Sequence, residues 1–172
     1  MESVTVDGIL RRKVIDWKAV LWAGVVAGTV FLLVNLFVVP RIMGGSFWIS
    51  ARLIGSMVLG EGVLAPPATF HAGALVAAIA VHYVLALALA AVIAFVVHRG
   101  GLIGGVLGGA VLGGAFYFIN YYTLSFFFPQ FFALRHGSVL ASHILFGALA
   151  GGVYELLEDQ IYEMQVVKEH KA

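Results

Sequence analysis

The chain has 172 residues, of which 62% are hydrophobic and only 11% are charged. An average soluble domain is about 45–50% apolar and about 25% charged, so this composition excludes an ordinary soluble fold and favours a membrane protein. The net charge of +1 provides no basic field for nucleic acid, and the lack of cysteine excludes disulfides and thiolate metal sites.

Four apolar segments are long enough to cross a bilayer, which takes about 18 or more apolar residues. Their approximate bounds are 19–39, 71–98, 101–124 and 137–157. The short HRGG connection between the second and third segments predicts an antiparallel helical hairpin. The sequence therefore predicts an all-α polytopic membrane protein, a four-transmembrane-helix bundle that forms one domain over residues 1–172.

The segment between the first two spans is not an ordinary loop. Over residues 47–60 a helical pattern places Ile49, Leu53, Ile54, Met57 and Val58 on one face. Glycines then end the helix, and a Pro-Pro pair fixes an extended segment before the second span. This pattern predicts an external amphipathic helix in the membrane interface, with a re-entrant course as the alternative.

Lys and Arg residues distribute unequally over the two sides of the predicted bundle. If the N-terminus is cytoplasmic, the cytoplasmic side holds Arg11, Arg12, Lys13, Lys18, Arg99, Lys168 and Lys171, whereas the other side holds Arg41, Arg52 and Arg135. This excess predicts that both termini are cytoplasmic. The tail at 158–172 is expected to continue the fourth span into the cytoplasm as a charged helix.

Small residues recur at helical spacing in the spans. In water a glycine inside a helix costs about 1 kcal/mol relative to alanine, but in lipid unsatisfied backbone groups cost several kcal/mol each, so the helix persists. Glycine columns then allow helices to approach closely. Two interpretations are open: the glycine columns pack the helices of this chain against one another, or one column docks a partner subunit or a second copy. The predicted packing positions are Gly24, Gly28, Gly101, Gly105, Gly109, Gly113, Gly147 and Gly151.

Polar side chains within the spans are few, and such groups are functional candidates by default because they are costly in lipid. At ~1.5 Å rise per residue, His82 and His143 lie about 4 and 6 Å from the midplanes of their spans, towards the outer side. Two histidines at matched depth are able to ligate a haem b iron from both sides. The simpler interpretation has no cofactor, and both rings hydrogen-bond across helix contacts. The candidate partners are Asn35, Tyr117 and Asn120.

Several classes of chemistry lack the residues they require. No Asp, Glu, Lys or Arg occurs inside a span before Glu155, whereas ion-coupled carriers rely on a buried carboxylate or on broken, repeated helices. No Ser-His-Asp or paired-carboxylate arrangement is visible, so no catalytic activity is predicted. A protein-only metal site is not predicted either, because no carboxylate accompanies the histidines at their depth.

Three stretches carry a resemblance to a known group of proteins: residues 58–94, beginning VLGEGVLAPPATFH, residues 119–137, INYYTLSFFFPQFFALRHG, and residues 146–158, FGALAGGVYELLE. Together they resemble a family of small bacterial inner-membrane proteins with four helices and no assigned activity. Some members are labelled sodium:proline symporters. Such carriers are built from two multi-helix repeats, so four spans without a repeat would need an oligomer with a shared pathway.

The leading functional prediction is an accessory or scaffolding subunit of a larger membrane complex, such as a respiratory or electron-transfer complex, in the bacterial inner membrane. Its expected partners are lipids and other membrane subunits or a second copy. One alternative is a small homo-oligomeric transporter or channel. Another is an electron-transfer subunit that interacts with haem b or a quinone through His82 and His143.

Overall fold

Helices make up most of the chain in a computed structural model that describes residues 9–158 and 162–166. The α-helices are α1 (Trp17–Leu33), α2 (Val39–Met43), α3 (Phe47–Leu59), α4 (Ala72–Val97), α5 (Gly101–Phe118) and α6 (Gly137–Leu157), and the strands are β1 (Ile9–Lys13) and β2 (Tyr162–Val166). Two π-helical segments, Val34–Val38 and Ile119–Thr123, continue α1 and α5. Short 3₁₀ segments cover Glu61–Leu64, Leu124–Phe126 and Pro129–Leu134.

Within the described residues, four helical stretches are long and apolar enough to cross a membrane. They are Trp17–Met43, Ala72–Val97, Gly101–Thr123 and Gly137–Leu157. The first joins α1 to α2 through the π segment, and the third joins α5 to its own π segment. The predicted all-α four-helix membrane bundle with an additional amphipathic helix is confirmed.

The closest packing in the bundle joins α5 to α6 through glycines. A methyl group added at Gly105 would lie 2.7 Å from the carbonyl oxygen of Gly151, shorter than an ordinary van der Waals contact. Methyl groups at other glycines of this contact would overlap a backbone carbonyl of the facing helix. Those positions are Gly109, Gly113, Gly147 and Gly151. The two helices therefore meet backbone to backbone, which only glycine permits.

The first span uses its glycines in the same way against α4. A methyl group at Gly28 would lie 2.9 Å from the Cβ of Ala86, and one at Gly24 would lie 2.8 Å from Leu87. Gly101 differs from the other predicted packing positions. It has φ +64° and open space around it at the start of α5, so it serves the turn after α4.

Helix α3 packs on the beginning of α4 through its small side rather than its large apolar residues. Ala51, Gly55 and Ser56 are buried, and a methyl group at Gly55 would lie 2.6 Å from the carbonyl oxygen of Ala74. The predicted apolar face remains partly open, since Val58 is 68% exposed. In a bilayer that face is free to contact lipid. We call the end of the bundle that carries α3 the α3 end.

Arg52 of α3 fixes the loop that follows. Its guanidinium is buried and donates to the carbonyl oxygens of Thr69 at 3.0 Å and of Val63 and Ala65 at 3.1 Å. Val63 lies near the end of a short 3₁₀ segment, and Ala65 and Thr69 lie in irregular chain on either side of the cis Pro66-Pro67 bond, so no α-helical hydrogen bonds satisfy these carbonyls. The arginine therefore supplies the donors that this loop requires once it is removed from water.

The predicted helical tail is wrong in the described part. Helix α6 ends at Leu157, Glu158 is extended, and residues 162–166 form β2, which pairs antiparallel with β1 at residues 9–13. The backbone groups of β1 form hydrogen bonds with those of β2. The pairing joins two segments near opposite ends of the chain. The helical pattern of one segment does not reveal such a partner.

Replacing Gly109 with alanine tests the contact between α5 and α6. The added methyl group overlaps the Gly147 carbonyl, so the helices must separate, and we expect a loss of about 1–3 kcal/mol in unfolding free energy. The matched control is Gly104→Ala, which has nothing within 4 Å and should be neutral or stabilising by up to about 1 kcal/mol. Denaturant titration in micelles, followed by circular dichroism, measures both; equal effects would contradict the packing described.

Candidate functional site

A cavity of about 120 Å³ lies inside the bundle at its α3 end. Every span contributes a polar side chain to its wall: Asn35 from the first, His82 from α4, Asn120 and Tyr121 from the third, and His143 from α6. Its other polar residue, Ser50, belongs to α3, which contributes apolar residues as well. The polar groups that were dispersed along the sequence therefore meet at one site.

Both π-helical segments of the spans border this cavity. Asn35 lies in Val34–Val38, and Asn120 and Tyr121 lie in Ile119–Thr123. A π segment inserts an extra residue into a helical turn and so changes the direction of the side chains after it, and such segments are frequent at functional sites. Two of them on different spans, facing one cavity, mark it as the candidate functional site.

Asn35 holds the first span to α6. Its Nδ2 donates to the carbonyl oxygen of Phe31 at 2.9 Å and to Oγ of Ser142 at 3.1 Å. Ser142 in turn donates to the carbonyl oxygen of Val139 at 2.8 Å. Both donors of the amide are therefore used within the protein, and Asn35 acts chiefly as a positioning group at the edge of the cavity.

A hydrogen bond to the backbone of the first span holds the His82 ring. Its Nε2 lies 2.8 Å from the carbonyl oxygen of Gly28, the residue at which the first span approaches Ala86 of α4 closely. A carbonyl oxygen only accepts, so Nε2 carries the hydrogen, and Nδ1 of the neutral ring is a lone-pair acceptor. A hydrogen bond of 2.8 Å between Thr29 and Tyr83 secures the same helix contact one residue further on.

His143 is fixed within its own helix and enclosed by aromatic rings. Its Nδ1 lies 2.8 Å from the carbonyl oxygen of Val139, so Nδ1 carries the hydrogen and Nε2 is the lone-pair acceptor. The ring centroids of Phe31, Tyr121 and Tyr117 lie 4.7, 5.5 and 5.7 Å from that of His143. The ring has little freedom to turn, so its acceptor has a defined position.

The two histidines pack on the same aromatic ring. Phe31 stacks on His82 with centroids 5.7 Å apart and an interplanar angle of 14°, and it meets His143 edge to face. A haem between the two imidazoles would have to displace Phe31. Its macrocycle is also several times larger than one six-membered ring, whereas a cavity of roughly 150 Å³ is known to hold a single benzene. Axial ligation of a haem by both histidines would therefore require Phe31 and the cavity wall to move.

Most of the polar residues predicted from the sequence lie at one site, but their hydrogen bonds differ from those expected. His82, His143, Asn35 and Asn120 line the cavity, and Tyr117 is buried beside His143. The expected hydrogen bonds from the histidines to Asn35, Asn120 or Tyr117 do not form. Both rings bond to backbone carbonyls instead, which a sequence reading does not supply as partners.

Sequence reasoning missed the apolar wall of the cavity, including Phe31, and also Tyr121 and helix α3. Tyr121 follows the predicted Asn120 directly, and an aromatic neighbour of a buried amide is the only signal that pointed to it. Phe31 resembles any other apolar residue of a span. Among the residues that the structure describes, no group of three or more His, Asp or Glu side chains is placed to hold a metal ion.

Comparisons of the chain with protein-family models, with curated proteins and with solved structures give no match. The resemblance to small bacterial inner-membrane proteins therefore stays a prediction.

The position of Phe31 generates a spectroscopic prediction. We expect the purified protein to show no Soret band, because the space between His82 and His143 is filled and the cavity is too small for a porphyrin. Absorption spectra before and after addition of haemin measure this. A Soret band in the wild-type protein that disappears in His143→Ala would contradict it and would restore the haem hypothesis.

Proposed function

We propose that this membrane protein binds a small, neutral, lipophilic molecule in the cavity at the α3 end, and that binding rather than catalysis is its role. The cavity itself carries the proposal. Its wall is mainly apolar, with residues such as Leu89, Phe131 and Phe146, and includes a few polar groups in fixed positions. That combination is typical of sites for small molecules.

The expected ligand is neutral because the cavity offers nothing to compensate a charge. The side chains that line it are apolar, amide, hydroxyl or imidazole, and none of them is Asp, Glu, Lys or Arg. Burying an unpaired charge in an apolar medium is far more costly than burying a hydrogen-bonded polar group. A molecule with an uncharged polar head satisfies both the apolar wall and the polar side chains.

The expected route for the ligand is from the lipid, between α4 and α5. These helices contact each other far less than α5 contacts α6, and one of their contacts is between Gly108 and Val97. Leu85 lines the cavity and is nevertheless 41% exposed on the surface of α4. A lipophilic molecule dissolved in the membrane would meet the cavity at this residue.

Of the sequence hypotheses, this proposal is nearest to the quinone-interacting one. The transporter or channel hypothesis is less favoured because the polar side chains gather at one end of the bundle. The accessory-subunit hypothesis stays a prediction. That hypothesis relied on small-residue helix faces that could dock a partner. In the structure these faces contact helices of the same chain, since α5 packs on α6 and the first span packs on α4 through their glycines.

We also propose that the protein lies in the bacterial inner membrane with both termini in the cytoplasm. The Lys and Arg distribution supports this orientation. The pairing of β1 with β2 supports a common side, because β1 precedes the first span and β2 follows the last.

Labelling of single cysteines tests the orientation, since the natural chain has no cysteine. We expect Ser3→Cys and Lys171→Cys to react with a membrane-impermeant maleimide only after cells are permeabilised. Gly62→Cys, in the loop after α3, should react in intact cells. Labelling of the two terminal cysteines on opposite sides would contradict the four-span arrangement.

Filling the mouth of the cavity tests the proposed binding. We expect wild-type protein in nanodiscs to bind 2-decyl-1,4-benzoquinone or its hydroquinone saturably, and Leu85→Trp to lose at least tenfold in affinity because the indole occupies the opening. The matched control is Leu107→Trp, at a residue that is 63% exposed on α5 and is not part of the cavity. Isothermal titration calorimetry measures the affinities. If neither probe binds the wild-type protein saturably, the proposal fails.

A further inference from the structure

We infer that the cavity selects a single ring that carries hydroxyl donors, as in a hydroquinone, over the oxidised ring that carries only carbonyl acceptors. This inference rests on the proposed function and names the class of its ligand. It follows from the hydrogen-bonding state of the two histidines, from the use of the nearby donors and from the size of the cavity.

Both imidazoles line the cavity, and each keeps one acceptor nitrogen. The Nε2–H of His82 donates to the carbonyl oxygen of Gly28, and the Nδ1–H of His143 donates to that of Val139. Each neutral ring therefore has one remaining nitrogen with a lone pair. Neither of these nitrogens receives a hydrogen bond from any other residue in 9–158 or 162–166. A ligand with two hydroxyl groups is able to donate to both.

The donors in the cavity are fewer than its apparent polarity suggests. Both hydrogens of the Asn35 amide are used by Phe31 and Ser142. The side chains of Asn120 and Tyr121 are the remaining donors on the spans. A quinone has no hydrogen to donate, so its carbonyls gain these donors at most, while the two imidazole lone pairs remain without partners.

The size of the cavity restricts the ligand to one ring. Its volume of about 120 Å³ is on the order of the roughly 150 Å³ of an engineered apolar cavity that accepts benzene. A fused two-ring head needs more room than this volume gives, so part of it would lie outside the cavity. An alkyl tail on the ring has room only outside the cavity, and the exposed position of Leu85 gives it a path into lipid.

Three probes with the same tail separate donor recognition from general lipophilic binding. They are 2-decyl-1,4-dihydroxybenzene, its dimethyl ether and the corresponding 1,4-benzoquinone, titrated under anaerobic conditions into wild-type protein in nanodiscs. The dihydroxy compound should bind on the order of tenfold more tightly than the other two, since each hydrogen bond to a buried acceptor contributes a few-fold in affinity.

Substitution of the histidines then assigns the selectivity. His82→Leu and His143→Leu, which remove the lone pairs with little change in volume, should each reduce the preference for the dihydroxy compound over the ether several-fold. His98→Leu is the matched control, because that histidine lies at the other end of α4 and bonds only to the Phe95 carbonyl.

The outcomes distinguish the inference from the proposed function. Equal binding of the three probes, or tighter binding of the quinone, would overturn the inference and leave the binding function intact. Absence of saturable binding by all three would overturn both. If a histidine variant fails to fold, as circular dichroism would show, the wild-type series alone decides.

Discussion

The architecture depends on the backbone contact between α5 and α6. Lipid provides no hydrophobic force between helices, so their association relies on close packing, and a glycine surface on each helix allows the closest approach. Because α5 packs on α6, α4 packs along the first span instead. It does so although only a short turn connects α4 to α5. The space left between these two pairs of helices at the α3 end becomes the cavity.

Backbone carbonyls satisfy most of the polar side chains near that cavity. His82 donates to Gly28, His143 to Val139, and the buried Arg52 to three carbonyls of the loop after α3. In a medium without water this arrangement avoids unpaired donors and requires no second charged group. It also leaves the imidazoles with acceptors rather than donors, which gives a neutral bundle a defined chemical preference.

The proposed binding role rests on what these fixed groups are able to do. The cavity combines apolar walls with two acceptors in constrained positions, and its lining contains no carboxylate to transfer protons or stabilise a cation. The ring of Phe31 contacts both histidines, so a ligand that moved this ring would disturb both acceptors together. A large planar cofactor between the two histidines would have to move the same ring.

The sequence by itself determined the spans, the helix before the second span and most of the glycine faces, because length, hydropathy and spacing are local properties. Only the tertiary structure decided that Gly109 meets Gly147, that His82 bonds to Gly28 and that the segment at 162–166 is a strand paired with 9–13. Each of these contacts joins residues far apart in the chain. Every residue type also has the same backbone carbonyl group, so the side-chain pattern of a sequence does not show which carbonyls accept hydrogen bonds from the histidines.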